Sequence, residues 1–325
     1  MTSYQGRKPG DLDYGLGHHS LDADRLGLVD EAELTERLIW TFSLPTYRPP
    51  RLPVVATELL ALSQRPDVQF HEIESVLEND AMLAAEVLKV ARSAYYAGVR
   101  PVTTLQGALV RIGLTKLREV VLEAALSVRV FRSPIYQGCM ERLRKHTQTT
   151  ANLCRVLSKY TPVTQDRAFL CGLLHDVGIA GILLMLGDVA RDKATPDLTV
   201  LWPAIHAAHG RAGARMIEMW KLPPEVATAV AAHHEVKVDG EDNPMSATVC
   251  LAEEYAVRWD RGFVPRVHSR ASGGDLEESG LIAHGRVDRT DASVVDRARK
   301  ALDLDAATTE RIDTDVRSWI ESDSE

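Results

Sequence analysis

The sequence predicts an all-α protein, and three observations carry the prediction. Apolar residues recur at three- and four-residue spacing through most of the 325 residues. Proline and glycine punctuate the chain at intervals that suit helices of two to five turns, and nothing in the first half reads as a strand. With 45% apolar against 26% charged residues the balance is that of a soluble globular protein, long enough for one large domain or two of ordinary size.

Taken in order, residues 1 to about 28 are rich in Gly, Asp and polar residues without period and read as a flexible lead, with His18 and His19 in solvent. An amphipathic helix is expected from about Glu31 to Phe42. The proline-punctuated strap Leu44-Pro45-Thr46-Tyr47-Arg48-Pro49-Pro50-Arg51-Leu52-Pro53 cannot be helix. Pro53 suits the first turn of the next helix, on which Val55, Leu59 and Leu62 recur at helical spacing before the Arg65-Pro66-Asp67 turn. Helices follow at about 70–78 and 80–92, the second capped by Asp80. Thr103-Thr104-Leu105-Gln106 has the spacing of a capping box, and Gly113 separates the helix it starts from a long one over 114–131.

After Ser133-Pro134 a second helical region begins. On the helix from about 139 to 160, His146, Thr150, Leu153 and Leu157 share one face, so His146 points toward the core. The next helix runs from about Asp166 to His175 and closes at Gly178, with the apolar run Ile179–Leu186 beyond it. Helices at about 202–220, from Pro223-Pro224 to His233-His234, and at 245–259 follow, with a polar loop through Asp239-Gly240 and Asn243-Pro244 before the last. Residues 261–290 read as a Gly-, Arg- and Ser-rich linker, and two helices at roughly 291–302 and 306–320 end the chain.

Charge and cysteines exclude several functions. A net charge of -8 argues against a general nucleic-acid or anionic-membrane surface, and residues 270–325, with 14 acidic against 8 basic residues, supply -6 of it. The basic run Arg142, Arg144 and Lys145 with Arg155 reads as one solvated helix face. No apolar run approaches the roughly 20 residues that cross a bilayer, and the start lacks the apolar centre of a signal peptide, so the protein is expected in the cytoplasm. Cys139, Cys154, Cys171 and Cys250 show no C-x-x-C spacing and read as buried free thiols.

The chemistry lies in Cys171-Gly172-Leu173-Leu174-His175-Asp176-Val177-Gly178-Ile179. Adjacent His and Asp can both reach one metal ion, through nitrogen and oxygen. His146, His209, His233, His234 and Glu253 stand in other helical segments and could converge on that pair, giving up to seven ligands for one or two divalent ions. A single histidine on an apolar helical face is more often a hydrogen-bonded core residue than a ligand. His206 lies on nearly the same face as His209, and spacing does not decide which points inward; Glu253 and Glu254 could equally form a solvated edge.

The ordered set resembles the HD superfamily of metal-dependent phosphohydrolases, and the first half narrows the likeness to HDOD, the HD-related output domain of bacterial signalling proteins. The residues that carry it are Arg51-Leu52-Pro53, the segment from Asn79-Asp80-Ala81-Met82-Leu83 through Ser93-Ala94-Tyr95-Tyr96, Arg100-Pro101-Val102-Thr103-Thr104, Ala108-Leu109-Val110-Arg111-Ile112-Gly113-Leu114, and Leu170-Cys171-Gly172-Leu173-Leu174-His175-Asp176-Val177-Gly178. The resemblance implies a two-lobe all-α domain, with an N-terminal helical bundle over 29–132 and an HD-like lobe over 133–260, preceded by the lead 1–28 and followed by linker and helices over 261–325. It implies His146, His175, Asp176, His209, His233 and His234 as metal ligands, with Glu253 where HD enzymes place an aspartate. Those enzymes commonly carry a lysine three residues after the HD aspartate, and here Ile179 stands there. The loop after His233-His234 also lacks the Gly-Tyr-Pro motif of the cyclic-dinucleotide phosphodiesterases.

The function expected is therefore a bacterial signalling module that acts through protein partners, with Fe, Mn, Zn or Ni, or a nucleotide ligand, held in its HD-like lobe. The alternative is a metal-dependent phosphohydrolase acting on a nucleotide or cyclic nucleotide. In that case His175 and Asp176 are catalytic, and Arg144, Lys145 or Arg211 contacts phosphate.

Overall fold

In a computed structural model, the residues described are 31–62, 65, 67–93, 96, 101–189, 198–263 and 292–323. The lead with His18 and His19, and most of the expected linker over 261–290, lie outside them.

Helix α1 (Glu31–Ser43) precedes the extended proline strap, and α2 (Val54–Leu62) begins where the Pro53 carbonyl accepts from Thr57 N at 3.0 Å. α3 (Phe70–Leu77) and α4 (Ala81–Ala91) follow. The Asp80 carboxylate accepts from Met82 N and Leu83 N at 3.1 and 3.0 Å, filling two donors that the helix start leaves open. α5 (Leu105–Ile112) is capped by Thr104, which accepts from Gly107 N, one residue later than the capping-box spacing from Thr103 predicts. α6 (Leu114–Arg129) completes the first lobe by packing on α2 and α4.

The second lobe opens with α7 (Gln137–Leu157), packed along α8 (Gln165–Leu174). α9 (Val177–Val189) lies on α10 (Leu198–Met219), which packs on α11 (Pro224–Ala231). A hairpin of two-residue strands, β1 (Lys237–Val238) and β2 (Glu241–Asp242), stands where the sequence reads as loop; Asp239 and Gly240 both take the positive φ that such a tight turn requires. α12 (Pro244–Arg258) crosses α7 and α8, α13 (Ala292–Ala301) packs on α12, and α14 (Ala306–Asp323) reaches α7. Helices α6 and α8 join the lobes, and one apolar core runs through both.

Two placements were not legible. The sequence groups α1 with the first lobe, yet it packs against α10 of the second, and the strap follows it there, with Trp220 Nε1 donating to Pro50 O at 3.0 Å. The stretch Gln165–Gly187 is apolar and long enough to cross a bilayer by length and composition, which exceeds the expected apolar run. Its most apolar window is 89% buried inside the protein, and a turn at His175-Asp176 divides it into α8 and α9.

Candidate metal centre

The turn between α8 and α9 presents His175 and Asp176, and glycines on either side bring the neighbouring helices close. A methyl at Gly172 would stand 2.8 Å from Ala151 Cα on α7. A methyl at Gly178 would overlap the His209 carbonyl and lie 2.6 Å from Gly213 N on α10. His146 is thereby held against the pair from one side and His209 from the other. α11 ends at Ala231, so His233 and His234 follow it in a turn, and α12 carries Glu253 inward.

All seven predicted residues meet here. His146, His175, Asp176, His209, His233 and Glu253 are each at most 8% exposed, and His234 is half-buried. The alternatives left open by spacing resolve the same way: His209 points inward while His206 is exposed, and Glu253 is buried while Glu254 lies at the half-buried edge. Arg211, one of the candidate phosphate contacts, is exposed, and Arg144 is engaged by Glu141 and Gln148.

Four imidazoles have the same orientation. Nδ1 of His146, His175, His209 and His233 lies 3.1, 2.7, 2.5 and 2.6 Å from the carbonyl oxygens of Arg261, Gly172, His206 and Val230. A carbonyl only accepts, so each Nδ1 carries a proton and donates it, which leaves Nε2 as the ligand atom. The Nε2 atoms then approach one another: His146 to His175, His209 to His233 and His234 to His209, each at 3.2 Å.

Asp176 joins two groups. Its Oδ2 lies 3.2 Å from His175 Nε2 and 3.6 Å from His146 Nε2, while Oδ1 lies 3.3 Å from His209 Nε2 and 3.8 Å from His233 Nε2. Glu253 Oε1 is 3.5 Å from His175 Nε2. Within the set His146, His175, Asp176 and Glu253, and within the set His209, His233 and His234, the donor atoms all lie within 4.8 Å of one another. Two donor groups sharing one carboxylate could hold a pair of adjacent divalent ions.

Burial sets the electrostatics. It pushes His146 down to about 4, with the neighbouring His175 adding to the effect, and His209 to about 4 against the pull of Asp176. Burial and the neighbouring histidines lower His233 far below the usual histidine range and His234 to about 2. For His175, burial is outweighed by Asp176 and Glu253, which raise it to about 9. Asp176 would likewise be raised by burial, but His175, His209 and His146 hold it well below the usual carboxylate range. In the metal-free chain one proton on His175 Nε2 thus fills part of the first group. The facing lone pairs of His209 and His233 have no proton between them, and a cation is what would relieve their repulsion. The donor set therefore fits a metal pair.

The four cysteines are buried and unbonded, and burial raises Cys139 to about 11 and Cys171 to about 12, which keeps them as thiols outside this chemistry.

Comparison with known proteins agrees with the helical fold. A crystal structure of an HDOD domain protein from Geobacter sulfurreducens superposes with a TM-score of 0.61 at 21% identity, covering 91% of this chain and 97% of that one. A protein of Shewanella amazonensis SB2B, suggested to be a metal-dependent phosphohydrolase, superposes with a TM-score of 0.59 at 20% identity over 89% of this chain and 99% of its own. An uncharacterized protein of Treponema pallidum (strain Nichols) is 24% identical over 229 residues, and the alignment takes in 66% of this chain but only 43% of that protein's length. The HDOD domain family matches residues 50–236, more than half of the chain and most of both lobes, and the chain belongs to that family.

Proposed function

We propose that this chain is a bacterial, cytoplasmic HDOD regulatory module that acts through partner proteins, and that its second lobe holds two divalent transition-metal ions. The observation that carries the metal assignment is the set of four Nε2 atoms turned to one point by backbone carbonyls and divided between the two oxygens of Asp176. His146, His175, Asp176 and Glu253 would hold one ion and His209, His233 and His234 the other, with Asp176 between them. Imidazole with carboxylate suits Fe, Mn, Zn or Ni.

Burial of the centre supports a regulatory role over turnover. His175 is fully buried, and Ile179, 2% exposed, supplies no cation where HD enzymes have one. The test is elemental analysis of protein purified without chelator or added metal, beside a His175→Ala/Asp176→Ala double variant. About two equivalents of transition metal in the wild type, lost in the variant, are expected. A metal-free wild type with the same stability as the variant would make the histidines core residues and remove the assignment.

A second reading, metal-dependent hydrolysis of a nucleotide or cyclic nucleotide, is favoured by one observation: a cavity lined by the basic face of α7 reaches His146. Bound metals would supply a Lewis acid for a phosphoryl group. Hydrolysis of a phosphodiester panel by the metal-loaded wild type, absent in Asp176→Asn, would establish this reading over the first.

A further inference from the structure

Between the lobes the described residues line an open cleft of about 570 Å³, walled by α4 and α6 on one side and α7 on the other, and reached by the segment after α12 and by α14. Such a volume falls in the range, roughly 300–1,000 Å³, of small-molecule sites. We propose that this cavity, which His146 also lines, binds a small phosphorylated aromatic molecule, of nucleoside-monophosphate size, held by the side chains of the lobe boundary rather than by the metal ions.

Charge and aromatic surface point to that class. The lining carries six cationic side chains, Lys89, Arg142, Arg144, Lys145, Arg155 and Arg261, against the four carboxylates Glu86, Glu119, Glu123 and Asp260. Three of those carboxylates are already engaged from within the protein: Glu86 is paired at 3.3 Å with Lys89, itself one of the six cations, as Arg144 is with Glu141 outside the lining. Glu119 is paired with Arg155 and, at 3.1 Å, with Lys116, and Glu123 accepts from Gln148 at 2.7 Å. Burial raises the pKa of both, against the pull of these partners. Arg155 is fixed by Glu119 and by the face of Phe169, 4.2 Å below its guanidinium. Lys145 is exposed and makes no ion pair among the described residues, so the surplus positive charge has a mobile member at the mouth.

Two rings, Tyr96 from the first lobe and Trp319 from α14, line the same space, and stacking on such faces is how a planar base is held without sequence-like readout. The basic face of α7, which reads from the sequence as merely solvated, thus becomes one wall of a cleft. A ligand there would also touch the element that orients the metal centre. Arg261 lines the cavity, and its carbonyl holds His146 Nδ1.

The test is isothermal titration of the full chain, as purified, with AMP and GMP, with adenosine and with inorganic phosphate, beside Lys145→Glu and Arg142→Glu. A nucleotide binding at least about tenfold tighter than phosphate or nucleoside alone is expected, recovered intact afterwards. Each charge reversal should weaken it about tenfold, with metal content and helicity unchanged. The proposal is overturned if neither nucleotide binds tighter than phosphate, or if the reversals have no effect. It is equally overturned if binding is lost only when the metal is lost, as in His175→Ala/Asp176→Ala, because the phosphate would then sit on the metal centre.

Discussion

Gly178→Ala is the sharpest perturbation of the metal centre that leaves every donor atom in place. The new methyl would overlap the His209 carbonyl and stand 2.6 Å from Gly213 N, both backbone atoms of α10 that no rotamer change can move. Restoring ordinary contact distances requires α9 and α10 to separate by about 1.5 Å, and overpacking of that size costs roughly 3 kcal/mol. For a chain this long Tm should fall by roughly 5 °C. The separation acts on one side of Asp176: it carries His209 away from Oδ1, while His146, His175 and Glu253 stay with Oδ2. Metal content should therefore drop from about two equivalents to one. Gly172→Ala provides the mirror image, because its methyl would stand 2.8 Å from Ala151 Cα and push α7, with His146, away from the other group. Differential scanning calorimetry and elemental analysis on the two variants read both effects. Unchanged Tm and full metal content in Gly178→Ala would refute the view that close helix approach builds the site.

Asp176→Asn keeps the shape but removes the charge shared by the two donor groups, and metal affinity should fall by at least about 100-fold, measured by competition with a chromophoric chelator. Metal binding at pH 7 should release a proton. His175 is raised to about 9 and holds a proton on the nitrogen a metal needs, whereas His146 and His209, lowered to about 4, are already neutral. Affinity should therefore climb by up to one decade per pH unit from 7 to about 9 and flatten above it; calorimetry in two buffers of different ionisation enthalpy counts the proton, and a count of zero at pH 7 would reject the assignment. Arg155→Met leaves the Glu119 carboxylate buried with Lys116 alone, and should cost roughly 2–4 kcal/mol in urea unfolding. A cost below about 0.5 kcal/mol would show that the pair contributes nothing between the lobes.

Much of the fold follows from local chemistry, which is why it could be read in advance. Asp80 caps α4 because a carboxylate satisfies open amides, and the prolines of the strap forbid helix between α1 and α2. The helix period placed His146 on the inward face of α7, and the His175-Asp176 pair marked the centre. What could not be read depends on rotation and on distant partners. Glu253 and Glu254 are adjacent, and the choice between them is fixed by how α12 lies across α7 and α8. α1 carries an apolar stripe that fits either lobe, and only packing decides for α10.

The orientation of the ligands divides along the same line, and one part of it was locally encoded after all. His175, His209 and His233 each donate Nδ1–H to the carbonyl three residues earlier, at Gly172, His206 and Val230. Two of these histidines stand just past the ends of α8 and α11, where last-turn carbonyls have no helical amide to accept from. A histidine placed there is turned by its own helix end so that Nε2 faces outward along the axis, a signal present in the sequence once the helix ends are known. His146 lacks this support: it lies within α7, and its Nδ1 is held by Arg261 O, 115 residues away. Three ligands are thus set when their own segments fold, and the fourth only when the chain after α12 closes on α7. That leaves His146 as the member of the first group through which a change at the lobe boundary would reach the metal.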